Sequence, residues 1–258
     1  MITDARTGSL EWDAVGDDSD RGLVMIHSLG ANRRMWDDQT ERLSRERHLV
    51  MGNLPGHGGS SAHSGDYSIG DLGNDFADIA SEAGLETFDV CGISLGGVVA
   101  LWMAINLPDR VTRLVACNTG AKIGTAEAWN ERIERVLAGG MESLRDAVVP
   151  RFITEDLEER RPDAHRKVYE MFDSIDPVGY AGCSAALRDA DLRDALGEIS
   201  CPTLLVGGSE DVATPPEQTY GLQKAISGSN SVIIDHAAHL SNIDQPDSFN
   251  SAVGEFLS

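Results

Sequence analysis

The chain has 258 residues, 41% hydrophobic and 24% charged, enough for one large domain with a real core. Its 42 acidic against 21 basic side chains give a formal charge of −21, which argues against nucleic acid as a partner because phosphates need a basic face. No run approaches the ~18 apolar residues of a membrane span, and MITDARTGSLEWDAVGDDSD has no apolar core of the signal-peptide kind, so a cytoplasmic protein is expected. The acids are spread along the chain, as on a solvated surface. The three lysines, Lys122, Lys167 and Lys224, fit a salty habitat and GC-rich codon usage equally. Cys91, Cys117, Cys183 and Cys201 form no CxxC pair and no zinc pattern, and are expected as small, reduced core residues.

In chain order, SLEWDAV reads as an antiparallel edge strand. GLVMIHS (Gly22–Ser28) and HLVMGNL (His48–Leu54) are nearly continuous apolar runs, as expected for parallel strands buried on both faces. YSIGDLGNDFADIASEAG places Ile69, Leu72, Phe76, Ile79 and Ala83 on one helical face. The strand run FDVCGIS (Phe88–Ser94), the apolar helix LGGVVALWMAINLP and the strand run RLVACNT (Arg113–Thr119) follow. The alternation then breaks between about residues 122 and 195, where three long segments read as helices with no strand between them. It resumes with TLLVGG (Thr203–Gly208), SVIID (Ser231–Asp235) and PDSFNSAVGEFLS, which puts Phe249, Val253, Phe256 and Leu257 on one stripe. Strands alternating with helices imply right-handed crossovers and a mostly parallel, doubly wound α/β sheet. The expected organisation is a core of residues 1–121 and 196–258 with a helical cap insertion over 122–195. A homo-oligomer is left open.

GISLGG fits G-x-S-x-G at Gly92, Ser94 and Gly96. A nucleophile held in a strained strand-to-helix turn needs small flanking residues where strand and helix approach. The strand before Ser94 and the apolar helix after it supply that context. A serine hydroxyl needs a base, and on this arrangement the order is Ser, acid, His. Of the later histidines, His165 lies among charged neighbours in the insertion and reads as solvated. His236 adjoins a strand end and reads as structural. His239, deeper in AAHLSNIDQP, is the expected base. Asp211, in GGSEDVATPP after the preceding strand, is the expected acid that orients the imidazole, with Glu210 as a surface residue. The oxyanion hole is expected from the backbone N–H groups of Leu29 and Leu95. His27 reads as shaping its loop. NLPGHGGSS lacks the Lys-Ser/Thr of a phosphate loop and reads as a structural turn.

These motifs, HSLG, NLPGHGGS, GISLGG, GGSEDVATPP and AAHLSNIDQP, stand in the order of the α/β-hydrolase superfamily, which the chain resembles over nearly its whole length. CNTGAKIGTAEAWNERI, GYAGCSAALRDADLRDAL and AAHLSNIDQPDSFN look like the 3-oxoadipate enol-lactonase branch of it. His27 departs from the polar, non-histidine residue common there, and Arg33 and Arg34 in GANRRMW are atypical. The resemblance implies an α/β-hydrolase fold and cofactor-free hydrolysis of a carboxylated enol-lactone through an acyl-enzyme, with no metal, as in the β-ketoadipate pathway of aromatic degradation.

An anionic substrate approaching an acidic protein needs a local cation, and arginine can bond a carboxylate bidentately. Arg132 is the first candidate, because one helical turn sets it on the same face as Trp129. Otherwise Trp129 packs the cap while Arg132 pairs with Glu131 or Glu134. Arg33, Arg34 and Lys122 are the alternative cations. A general carboxylesterase, a haloperoxidase-like hydrolase, a slow hydrolase-fold receptor and, remotely, a lyase are the competing functions.

Overall fold

The computed structural model describes residues 1–258 and gathers the apolar runs into one eight-stranded sheet. Its strands are β1 (Ile2–Ala5), β2 (Gly8–Val15), β3 (Gly22–Ile26), β4 (His48–Gly52), β5 (Phe88–Ile93), β6 (Val111–Cys117), β7 (Thr203–Gly208) and β8 (Asn230–Ile234). Their spatial order is β1-β2-β4-β3-β5-β6-β7-β8. β2 pairs antiparallel with β1 and β4, and all other pairings are parallel. Every residue of β3, β4, β5 and β7 is buried, as continuous apolar runs between two helical layers should be.

Two strands differ from expectation. SLEWDAV is antiparallel but is not the edge, because β1 pairs along its outer side. β1 is four residues long and largely exposed, so it leaves no apolar run to read. SVIID reads as one more apolar run, for which burial on both faces is expected, yet β8 alternates between exposed and half-buried residues until Ile234. It is the last strand and has no neighbour beyond it.

The helices are α1 (Asp37–Leu43), α2 (Ile69–Glu82), α3 (Leu95–Asn106), α4 (Ala126–Gly139), α5 (Glu142–Val148), α6 (Leu157–Arg160), α7 (Pro162–Asp173), α8 (Pro177–Asp189), α9 (Pro216–Ala225), α10 (Ser241–Asp244) and α11 (Pro246–Leu257). Helix α2 starts in a capping box: Ser68 Oγ accepts the Asp71 N–H, and Asp71 Oδ2 accepts the Ser68 N–H at 2.9 Å. Ile69, Leu72, Phe76 and Ile79 are buried on its inner face, and Ala83 just beyond it is half-buried. In α11, Phe249, Val253 and Leu257 are buried and Phe256 is partly so. The four cysteines are free, and Cys91, Cys117 and Cys183 are buried.

Helices α4–α8 all lie between β6 and β7. Their buried apolar residues join those of the sheet in one cluster, so this segment has no separate core. It is docked by backbone as well as side chains. A Cβ on Gly179 in α8 would stand 2.4 Å from the Pro55 carbonyl oxygen, and the Asp176 N–H donates to Gly56 O at 2.8 Å. The glycine-rich turn after β4 is therefore the seat of α8, as its structural reading requires.

Candidate active site

Strand β5 ends at Ile93, and Ser94 turns the chain into α3 with φ 57° and ψ −117°, a costly conformation for a non-glycine residue. The turn closes because its neighbours are glycines. A Cβ on Gly92 would lie 2.0 Å from Gly96 O, and one on Gly96 would lie 2.1 Å from Ile26 O. The Ser94 N–H donates to Cys117 O at 3.0 Å and Thr119 Oγ1 donates to Ser94 O at 2.8 Å, so the end of β6 and the loop after it hold the strained residue in place.

Asp211 follows β7 and His239 follows β8, and both are buried. His239 Nδ1 lies 2.9 Å from Asp211 Oδ2 and 3.1 Å from Oδ1. The carboxylate also accepts from the Ala213 and Thr214 N–H groups at 2.8 and 2.9 Å, Thr214 Oγ1 at 2.7 Å and Asn118 Nδ2 at 3.0 Å. Burial would raise its pKa, but His239 and these donors outweigh that and lower it to about 2. Asp211 thus holds His239 with Nδ1 as donor and leaves Nε2 free of it. Ser94 and His239 line one cavity without a hydrogen bond between them. Such bonds commonly tighten only when substrate is bound.

Leu29 lines the same cavity and Leu95 is the first residue of α3. Neither N–H donates to a protein acceptor, as the two donors of an oxyanion hole must not. Two neutral histidines brace the first of these loops. His27 Nδ1 lies 2.8 Å from Ser28 O, and its Nε2 accepts the Leu54 N–H at 2.8 Å. His57 Nδ1 lies 2.8 Å from Pro55 O, and its Nε2 accepts the Gly30 N–H at 3.4 Å. Burial, then the neighbouring His57, holds His27 far below its ordinary value, and burial lowers His57 to about 4. The loop-shaping reading of His27 fits these bonds.

The cavity measures about 250 Å³. Ile123, Ala128, Val148 and Leu187 contribute apolar wall, and its permanent charges are Arg132 and Arg151. Trp129 Nε1 donates to Ile123 O at 2.7 Å, and the Arg132 guanidinium stacks 4.8 Å from the Trp129 ring centroid. Arg132 pairs with neither Glu131 nor Glu134, and no carboxylate reaches it. The alternative cations do not line the cavity. Arg33 faces Glu11 and Asp13, Arg34 faces Glu170, and Lys122 pairs with Asp191 at 3.2 Å.

His165 leans on Tyr169 in α7, away from the cavity. His236 is an exposed bridge, with Nδ1 2.8 Å from Glu210 and Nε2 2.9 Å from Asp156. Four participants escaped the sequence reading: Asn118, Thr214, Arg151 and Phe152. The Phe152 ring stacks on His239 at 5.7 Å between centroids, and its carbonyl accepts the Leu240 N–H at 2.7 Å. Only Asn118 had a local signal, lying directly after β6 at the carboxyl edge where ligands bind.

The chain belongs to the alpha/beta hydrolase fold family, whose pattern matches residues 23–246. It is 32% identical over 249 residues to 3-oxoadipate enol-lactonase 2 of Acinetobacter baylyi, across 96% of this chain and 93% of that one. The crystal structure of the enol-lactonase from Burkholderia xenovorans superposes with a TM-score of 0.96 at 33% identity, across 100% of this chain and 99% of that one. A thermophilic esterase from Thermogutta terrifontis, solved with malate bound, superposes with a TM-score of 0.93 at 28% identity, across 100% and 98%. With these relatives, the chain is a hydrolase of lactones or esters.

Proposed function

We propose that this enzyme opens a small enol-lactone bearing a free carboxymethyl group, of the 3-oxoadipate enol-lactone type, within an aromatic-degradation route. His239 takes the Ser94 proton as Oγ attacks the lactone carbonyl, and Asp211 stabilises the imidazolium that forms. The N–H groups of Leu29 and Leu95 hold the oxyanion. Collapse expels an enolate, a better leaving group than an alkoxide, which relaxes to the ketone. His239 then activates water against the acyl-enzyme. None of these steps calls on a metal or organic cofactor. Four free cysteines suit a reducing compartment, and the cytoplasm is part of this reading.

The observation that carries the reading is Arg132, held on Trp129 with no carboxylate partner, in the cavity that Ser94 and His239 share. In a chain of charge −21, long-range steering opposes an anionic substrate and a local cation must overcome it. The test compares enzymatically generated enol-lactone with neutral γ-lactones and aryl esters. The anionic lactone should lead in kcat/KM. Arg132→Ala should lower that value about 30- to 100-fold while leaving a neutral ester within about threefold. If neutral aryl esters lead, or both substrate classes lose equally, the lactone reading fails. The likeness to the malate-bound esterase supports carboxylate ligands but also favours a second reading, a broader carboxylesterase, which the first of those outcomes would establish.

A further inference from the structure

Arg151 is a second unpaired cation on the same cavity. It ends a short turn, Val149–Arg151, that follows α5, and the next residue is the Phe152 that stacks on His239. Its one hydrogen bond is a long one of 3.3 Å to Val212 O, in the residue after Asp211. Arg151 therefore stands on the His239–Asp211 side. Arg132 approaches from α4, over a tryptophan anchored to the loop after β6. Arg151 also borders an outer groove that contains Glu155, Asp156 and Glu210, yet none of these pairs with it. Asp156 is occupied by Arg160 at 2.7 Å and His236 at 2.9 Å, and Glu210 by His236 at 2.8 Å. Most arginines near a carboxylate in this acidic chain are paired, but neither of those lining the cavity has a carboxylate partner.

Two free guanidinium groups on one small cavity suit a ligand with two carboxylates, since each fork can take one. We propose that the cavity is a dicarboxylate site, in which Arg132 holds one carboxylate and Arg151 the other. This rests on the lactonase reading only for where the second carboxylate arises. In deacylation the water oxygen bonds to the acyl carbon as the carbon–Oγ bond breaks. The water proton passes through His239 to Oγ, and the acid released ionises. A monoanionic lactone thus becomes a dianion whose new carboxylate forms beside His239, on the side where Arg151 stands. Arg151 is then a specificity residue for the product and for dicarboxylate competitors, and it makes the enzyme prone to product inhibition.

The test measures binding of adipate, with two carboxylates, and hexanoate, with one, to the intact protein at fixed ionic strength. Adipate should bind about five- to tenfold more tightly than hexanoate. Arg151→Gln should bring the two within about twofold while Tm is retained, since the side chain is exposed and almost unbonded. Equal binding by the wild type, or a preference that survives Arg151→Gln, overturns the proposal. Enol-lactone turnover measured on the same samples separates the two readings. A dicarboxylate preference without turnover keeps this site and sinks the reaction, whereas turnover without a preference does the reverse.

Discussion

His239, on the β7–β8 side of the cavity, keeps a carboxylate against Nδ1, whereas His27 and His57, on the β3–β4 side, keep only neutral backbone groups. All three are at most 3% exposed, so burial does not separate them. Their partners do. A carboxylate stabilises the imidazolium that forms when the ring takes a proton. A carbonyl at Nδ1 and an amide N–H at Nε2 use the neutral ring fully, and protonating Nε2 would strand the amide. The first environment suits a base in turnover. The second suits a strut that holds the backbone around Leu29.

The largest expected effect breaks the comparison at its charged end. Asp211→Asn should lower kcat about 10⁴-fold, because the amide no longer enforces the Nδ1–H tautomer. The fold should survive, since Asn118 and the Thr214 and Ala213 N–H groups still surround the site. A loss below tenfold would remove Asp211 from the proposed triad. Next comes acid unfolding. The folded pKa of His57, about 4, lies below its ordinary 6.5. Between those values the unfolded chain binds a proton that the folded chain does not, so stability falls as pH drops through that window, by up to roughly 3 kcal/mol. His27 acts in the same direction. Asp211 acts lower still: its contribution is complete above 3.8 and is lost as pH falls through about 2. Urea unfolding between pH 7 and about 4.5 should show a shallower decline for His57→Gln than for wild type. Parallel curves would mean that His57 is not held neutral.

The same contrast explains what could be read from the chain. The gathering of Ser94, Asp211 and His239 at one place was legible because each follows an apolar strand run and G-x-S-x-G marks a junction that only small residues can close. The role of His57 was half legible: NLPGHGGSS read correctly as a turn, but its hydrogen bond to Gly30 joins residues 27 apart. Arg33 and Arg34 misled because they adjoin the Leu29 loop in sequence, while their side chains meet acids of β2 and α7. Nothing in PRFIT announces Arg151 or Phe152. Their places at the cavity arise when the turn after α5 folds over the His239 loop, a contact with no local pattern.

At the neutral end of the comparison, His27→Leu removes the acceptor for the buried Leu54 N–H. That should cost about 1–3 kcal/mol of stability and several degrees of Tm. A displaced Leu29 loop should also slow kcat by about tenfold. If kcat instead fell about 10⁴-fold at unchanged Tm, His27 would have to be a chemical participant, and the division of labour between the two sides would collapse.

His236 sharpens the comparison with the smallest effect. Like His239 it has carboxylate partners, Asp156 and Glu210, and these raise its pKa, Asp156 most. Unlike His239, its side chain is 49% exposed, and it does not line the cavity with Ser94. Water and salt screen such a pair. Because the folded pKa is raised, any stability the bridge supplies is fully present below the ordinary value of 6.5 and fades as pH rises through the folded value. His236→Gln should therefore shift Tm by about a degree or less below that pH and by nothing measurable at alkaline pH. It should leave kcat within about twofold. A carboxylate partner alone does not make a histidine a base; it must also be buried beside the nucleophile. A kcat loss for His236→Gln approaching that of Asp211→Asn would overturn that requirement and move the base three residues upstream.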